Sequence, residues 1–190
     1  MSVLADNPAN ATETKLVLRC QEGDTLSFQE LYRRYQQRIR ATLYQLCGSE
    51  MLDDLVQEVF LRVWKGLPKL KEPSYFSTWV YRITWNVATD KRRKFAQNLS
   101  VNDDGTILNI MPSRPQDTPD LMRLHYQDLV QQGLQSLSLE HRAVLVLHDL
   151  EDVPQKEVAK ILELPIGTVK SRLFYARKQM RKFLKEQGAL

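Results

Sequence analysis

The chain reads as all-α: two small helical domains joined by a flexible linker. Three observations predict this. Apolar residues recur at spacings of three and four through long stretches on both sides of the chain's middle, the period of an amphipathic helix. No stretch alternates apolar and polar residues over strand length; Ile107 to Met111 is too short and isolated. Between the periodic stretches, Asn98 to Asp120 holds Gly105, three prolines (Pro112, Pro115, Pro119) and four aspartates against one arginine. Such a segment reads as linker. The expected divisions are a loose tail over 1–12, a first domain over 13–95, an acidic linker over 96–127 and a second domain over 128–190.

Each element has its own signal. Glu13 to Cys20 predicts a short helix before the break at Gly23 and Asp24. A longer helix follows, with Phe28, Leu31, Tyr35, Ile39, Leu43 and Leu46 on one stripe and Ser27 or Thr25 as its cap; Cys47 and Gly48 end it. The next helix spans Leu52 to Gly66 and buries Leu55, Val56, Val59, Phe60 and Val63. Asp53 and Asp54 lie in its first turn, where negative charge suits the helix dipole. Pro68 and Pro73 bracket a basic loop before a third helix from about Tyr75 to Lys94, whose core face is Phe76, Val80, Ile83 and Val87. Past the linker, Leu129, Leu134 and Leu137 resume the period, and Ser138 caps a helix containing Ala143, Val144 and Leu147.

The bulk numbers exclude several classes. With 190 residues, 43% of them hydrophobic and 26% charged, the composition is that of an ordinary globular protein. Cys20 and Cys47 lie far apart without a CxxC or Cys-His neighbour, against a disulfide scaffold or a zinc site and for a reducing cytosol. No apolar run reaches the ~18 residues of a membrane span, and the N-terminus has no signal-peptide core. A cytoplasmic protein without membrane insertion is expected. His125, His141 and His148 lack a partner pattern and no carboxylate cluster presents itself, so no catalytic site, metal or cofactor is expected.

Two constellations carry the functional signal. The first is a helix–turn–helix near the C-terminus. Val158, Ala159, Ile161 and Leu162 face inward from its first helix, and Val169, Leu173, Ala176 and Met180 from its second. From Pro165 to Lys185 there are seven Lys or Arg residues and no Asp or Glu. Such a helix suits the DNA major groove, with Lys170 and Ser171 toward bases and Arg177 and Lys178 toward phosphates. Phe174 and Tyr175 lie on the same polar face, where contact with a thymine methyl or a sugar gives them a use. The competing reading is a solvated basic face. The second constellation is the helix from Tyr75 to Lys94. Arg82, Trp85, Asn86 and a terminal run Lys91, Arg92, Arg93, Lys94 lie off its core face. Rings, cations and an amide together suit opened DNA, because unstacked bases stack on rings and cations follow the backbone. Trp79 and Tyr81 are expected to pack; Trp85 is open between packing and binding. On the preceding helix Leu61 and Trp64 add apolar groups to a face carrying Asp54, Gln57, Glu58 and Arg62. An apolar centre with a charged rim is an interface pattern.

Three segments together, Asp53 to Trp64, Phe76 to Asn86 and Leu164 to Leu173, resemble the bacterial extracytoplasmic-function sigma factors, the small two-domain members of the sigma-70 family. The resemblance covers about Lys15 to Lys185. It implies that the first domain binds the β′ clamp helices of core RNA polymerase through Asp53, Asp54, Gln57, Glu58, Leu61 and Arg62. It implies that Lys69, Lys71, Ser74, Tyr75, Arg82, Trp85, Asn86, Lys91, Arg92 and Arg93 read and melt the promoter −10 element. The second domain would read the −35 element through Thr168, Lys170, Ser171, Arg172, Phe174, Tyr175, Arg177 and Lys178, and touch the β flap. An anti-sigma factor is a further expected partner. The chain departs from the family pattern in four places. Pro154 stands where a Ser or Thr cap is common, Glu163 where the turn often has Gly, and Tyr175 where some members have arginine; the loop between Pro68 and Pro73 lacks a common Phe-Arg-Gly pattern. Glu163 is therefore expected in a left-handed conformation costing ~1 kcal/mol.

The rival readings are a duplex-binding regulator with a signal-binding first domain and a helical adaptor whose basic patches serve protein or RNA. A nuclease is more distant, because nothing clusters to hold metal.

Overall fold

The computed structural model describes residues 8–99 and 119–189. They form eight α-helices, and among the described residues there is no strand. The N-terminal module comprises α1 (Pro8–Gln21), α2 (Thr25–Cys47), α3 (Leu52–Gly66) and α4 (Phe76–Leu99), with two 3-10 turns, Leu67–Lys69 and Pro73–Tyr75, between α3 and α4. Helix α1 starts within the segment expected as a loose tail, and it docks because Val17 and Cys20 are buried against α2. Tyr35 on α2 donates its hydroxyl to Glu13 at 2.5 Å. The Gln21 amide donates to the carbonyls of Leu67 (3.0 Å) and Leu70 (2.8 Å), tying the end of α1 to the turn after α3.

Helix α2 buries Leu31, Tyr35, Ile39, Leu43 and Leu46, as the spacing of three and four requires. Its cap is neither Ser27 nor Thr25 but Asp24, whose carboxylate accepts from Leu26 N–H (2.9 Å) and from the Ser27 hydroxyl (2.7 Å). Each carboxylate oxygen takes one of the two donors. Gly48, at φ 82°, ends the helix, and its N–H reaches the Tyr44 carbonyl at 2.7 Å. The boundaries and buried stripe of α3 match the expectation throughout.

The C-terminal module comprises α5 (Pro119–Ser136), α6 (Leu139–Leu145), a π turn over Val146–Leu150, α7 (Gln155–Leu162) and α8 (Ile166–Glu186). Helices α4 and α5 both run into the segment expected as linker, so 96–99 and 119–127 are helical; the rest of that segment, 100–118, lies outside the described residues. Helix α5 crosses α8 closely at Gly133, where a Cβ would stand 2.6 Å from Met180 Sδ and 2.9 Å from a Phe183 ring carbon. Ser138 caps α6 by accepting from His141 N–H at 3.3 Å. His148 offers Nδ1 to the Val153 carbonyl at 2.9 Å, a structural contact at the end of the π turn.

The two modules are docked on each other, and their buried side chains form one contiguous core. Arg142, 7% exposed, extends from α6 across the junction and donates to the Leu46 carbonyl of α2 and to the Gln135 (2.9 Å) and Leu137 (3.0 Å) carbonyls. Burial draws its pKa below the ordinary arginine value. Burial also pushes the Cys20 thiol up to about 11 and raises that of Cys47, which disfavours the thiolate of each.

Candidate nucleic-acid and protein interfaces

The helix–turn–helix is built from α7 and α8. Pro154 precedes α7 without a side-chain cap bond, and Glu163 closes the helix at φ 55°, ψ 45°, the left-handed conformation expected of it. Val158, Ile161 and Leu162 of α7 and Val169, Leu173 and Ala176 of α8 are buried. That fixes the rotation of α8 and turns its other face outward. Phe174 (65% exposed) and Tyr175 (54%) stand on that face, their rings edge-on at 5.5 Å. Lys170, Ser171 and Lys178 are also exposed, while Thr168 and Arg172 are half-buried. The Ser171 hydroxyl donates back to the Thr168 carbonyl at 3.0 Å. Arg177 is held by a residue the sequence reading missed: Asp149, at the π turn, accepts a two-pronged contact from Nε (2.8 Å) and Nη2 (2.6 Å). Such fork-on-carboxylate geometry is the strongest form of the pair, and it further raises the arginine's pKa.

The α4 surface is partly engaged. Tyr75 is 43% exposed, and Lys69, Lys71, Ser74 and Asn86 are exposed around it. Tyr81 is buried, as expected of a packing residue, while Trp79 and Trp85 are half-buried against the core. Arg82 donates to the Lys160 carbonyl (2.6 Å) and pairs with Glu163 (3.4 Å), both on the other module. The basic run at the end of α4 is not uniformly free. Lys91 reaches the Glu50 carbonyl at 2.6 Å and its carboxylate at 3.6 Å, and Arg93 donates to Asp90 at 2.9 Å; Arg92 is exposed.

On α3, Leu61 (45%) and Trp64 (43%) are exposed beside a groove walled by Phe28, Tyr32 and Phe60. Trp64 meets Phe28 edge-on at 4.7 Å, and Tyr32 meets Phe60 at 4.5 Å. Aromatic edge contacts of this kind hold rings in place, so the groove is preformed. Asp54 and Gln57 are exposed on its rim, and Asp53 pairs with Arg40. Glu58 and Arg62 form the expected pair one helical turn apart at 2.7 Å, and Arg62 also holds Asp90 at 3.0 Å. Phe28 counts toward the buried stripe by spacing alone; only the packing of α3 shows that one side of its ring lines an open groove.

Known proteins match on the same two modules. The Sigma-70 region 2 model matches residues 31–97 and the Sigma-70 region 4 model residues 127–180. An ECF RNA polymerase sigma-E factor of Haemophilus influenzae is 30% identical over 181 residues, 89% of this chain and 93% of that protein. The ECF RNA polymerase sigma factor SigW of Bacillus subtilis is 28% identical over 182 residues, 90% of this chain and 96% of that protein. Among solved structures, CnrH in complex with the cytosolic domain of CnrY shares the fold with a TM-score of 0.68 at 24% identity, covering 92% of this chain and 97% of that one. The sigma factor RpoE of Bartonella quintana, solved with the anti-sigma factor NepR, gives 0.69 at 24% identity, covering 83% and 96%. Near-complete coverage in both directions, with both sigma-70 regions in order, places the chain in a family: it belongs to the ECF RNA polymerase sigma factors.

Proposed function

We propose that this sigma factor docks on the β′ clamp helices of core RNA polymerase through the α3 groove, reads and opens the −10 element with α4 and the loop before it, and reads the −35 element with α8. It acts as an initiation factor rather than as an enzyme, in the cytoplasm where its polymerase works. The observation that carries the reading is the outward face of α8: two exposed aromatic rings beside Lys170 and Lys178, on the second helix of a helix–turn–helix. Base edges are read from such a helix, while the basic residues beyond it hold phosphates. The preformed aromatic groove beside Leu61 and Trp64 supports a protein partner on α3.

In −10 recognition, Lys69, Lys71, Arg92 and Arg93 follow the backbone, Ser74, Tyr75 and Asn86 contact unstacked bases, and Trp85, Arg82 and Lys91 support that surface. At −35, Thr168 and Arg172 join Lys170, Ser171, Phe174, Tyr175, Arg177 and Lys178, and the module rests on the β flap. An anti-sigma factor is the expected regulator, supported by the two neighbouring folds, each solved with such a partner or with a cytosolic partner domain. Among the described residues no helix is long and apolar enough to cross a membrane.

The deciding experiment is promoter mapping by run-off transcription with purified core polymerase. Discrete start sites that depend on added protein are expected. Transcripts that do not depend on it would overturn the reading, and tight duplex binding without a polymerase complex would favour a conventional regulator.

A further inference from the structure

A cavity of about 300 Å³ lies where α2, α4, α5 and α6 meet, and three cations line it: Lys91 and Arg92 of α4 and Arg142 of α6. Their charges are unevenly met. Lys91 pairs with Glu50, the one carboxylate among the described lining residues. Arg142 is 7% exposed, and its terminal nitrogens donate to the Leu46, Gln135 and Leu137 carbonyls and to the Gln135 side-chain oxygen, all uncharged acceptors. Its Nε has no hydrogen-bond partner among the described residues. Arg92 is exposed, and its charge lies close enough to oppose that of Arg142. Glu140 is within electrostatic reach of Arg92 but does not line the cavity.

A buried guanidinium is ordinarily matched by a carboxylate, because an isolated charge loses more hydration than neutral acceptors return. Three cations against one carboxylate leave the wall two charges positive. Like charges this close repel, and the low dielectric of a partly enclosed wall strengthens the repulsion. An anion of two negative charges or more offsets it. The donor set favours phosphate oxygens: arginine forks and an ammonium are the groups that hold them most strongly. The volume stands at the lower end of the range for ligand sites, so it suits a small anion and not a stretch of nucleic acid.

We propose that this cavity binds a small phosphate-class anion, inorganic phosphate or pyrophosphate, held between Lys91 and Arg92 on one side and Arg142 on the other. The site is separate from the promoter reading. It shares Lys91 and Arg92 with the surface assigned to the −10 element, while Arg142 belongs to none of the DNA or polymerase surfaces. Charge, donor chemistry and size specify the ligand, whichever promoter the chain reads.

The test is heteronuclear NMR of the full chain, following the arginine Nε–Hε signals at constant ionic strength. Pyrophosphate and inorganic phosphate are added in separate titrations up to about 5 mM, a range that covers millimolar affinity. A saturable one-site shift of the Arg142 Nε–Hε signal is expected. The anion that saturates at the lower concentration is the better fit of the two. Arg92→Ser should weaken that affinity about 10-fold, the loss of one charge-assisted contact. Lys178→Ser removes the same charge from the exposed face of α8 and should leave the affinity unchanged. Equal weakening by the two variants would mean diffuse attraction to a basic chain and overturns the proposal. So does the absence of a saturable Arg142 shift with either anion, or a shift produced by a single-stranded oligonucleotide and by neither anion. Run-off transcription from the parent chain is unaffected by any of these results, so the site and the sigma-factor reading fail separately.

Discussion

Individual side chains divide between those whose role follows from local spacing and those whose partner lies elsewhere in the chain. Lys170 belongs to the first group. Val169 and Leu173 are buried on either side of it in sequence, so its ammonium faces out on the first turns of α8. Lys170→Ala should lower −35-dependent run-off transcription by about 10-fold, the loss of one base contact of ~1–3 kcal/mol. Unchanged transcription from a promoter with a defined −35 element would refute that placement. Arg177 belongs to the second group. Its position on the helix marks it as a phosphate-binding cation, but nothing local reveals Asp149, 28 residues away, which holds it in a two-pronged pair. Two consequences follow for DNA binding. Arg177→Ala should weaken affinity almost equally across sequences and reduce the salt slope by about one. Asp149→Ala should act oppositely, freeing the guanidinium and steepening the salt dependence. A sequence-selective effect from either variant in salt-titrated binding would contradict the assignment.

At the level of the helix, caps and boundaries were the least legible features. Helices α2 and α3 could be read residue by residue because a spacing of three and four marks a buried stripe. The cap of α2 could not, since Asp24, Thr25 and Ser27 all have suitable oxygens and only the backbone at Asp24 (φ −73°, ψ 105°) decides between them. Glu163 was legible for the converse reason: a helix–turn–helix needs a left-handed residue at that turn, and the sequence has no glycine there. Glu163→Gly should therefore stabilise the chain by ~0.5–1 kcal/mol, or about 1–4 °C in Tm, on removal of the Cβ strain. A lower Tm in differential scanning calorimetry would show that the Arg82 contact outweighs the strain. Helix α1 shows what docking does to a carboxyl. Burial raises the pKa of Glu13 although Tyr35, Arg34 and Arg38 act the other way. A raised folded-state pKa means that the full stability is present below the unfolded value and declines as pH rises through the folded one. Tyr35→Phe removes the donor from this carboxylate. Its cost in urea denaturation, ~1–3 kcal/mol, should be present at pH 8 and shrink toward pH 4. A pH-independent cost would mean that Tyr35 contributes packing alone.

For the whole molecule, the sequence pointed to two modules and was silent on their relation. Periodicity reports that a face is buried without reporting what covers it. An acidic, proline-containing middle segment suggested independent bodies, while the docking depends on pairs such as Arg38 with Glu151, 113 residues apart. The same docking treats the three interfaces unequally. Residues Tyr75 and Arg82 contact α7, and Arg177 is tied to Asp149 within its own module. The α3 groove is lined by α2 and α3 and by none of Arg38, Tyr81 and Arg142, so it is open while the modules are docked. The groove, the surface proposed for the polymerase, is therefore accessible in the docked chain. The proposed polymerase contact is tested at the groove rim, where Asp54 is exposed and no described residue pairs with it. Asp54→Arg reverses that charge on a solvated first turn, off the buried stripe of α3. The variant should therefore keep the parent far-UV circular dichroism and lose co-purification with core polymerase by at least about 10-fold, since a like charge facing a complementary patch costs several kcal/mol. Retained co-purification with unaltered dichroism would place the polymerase contact elsewhere.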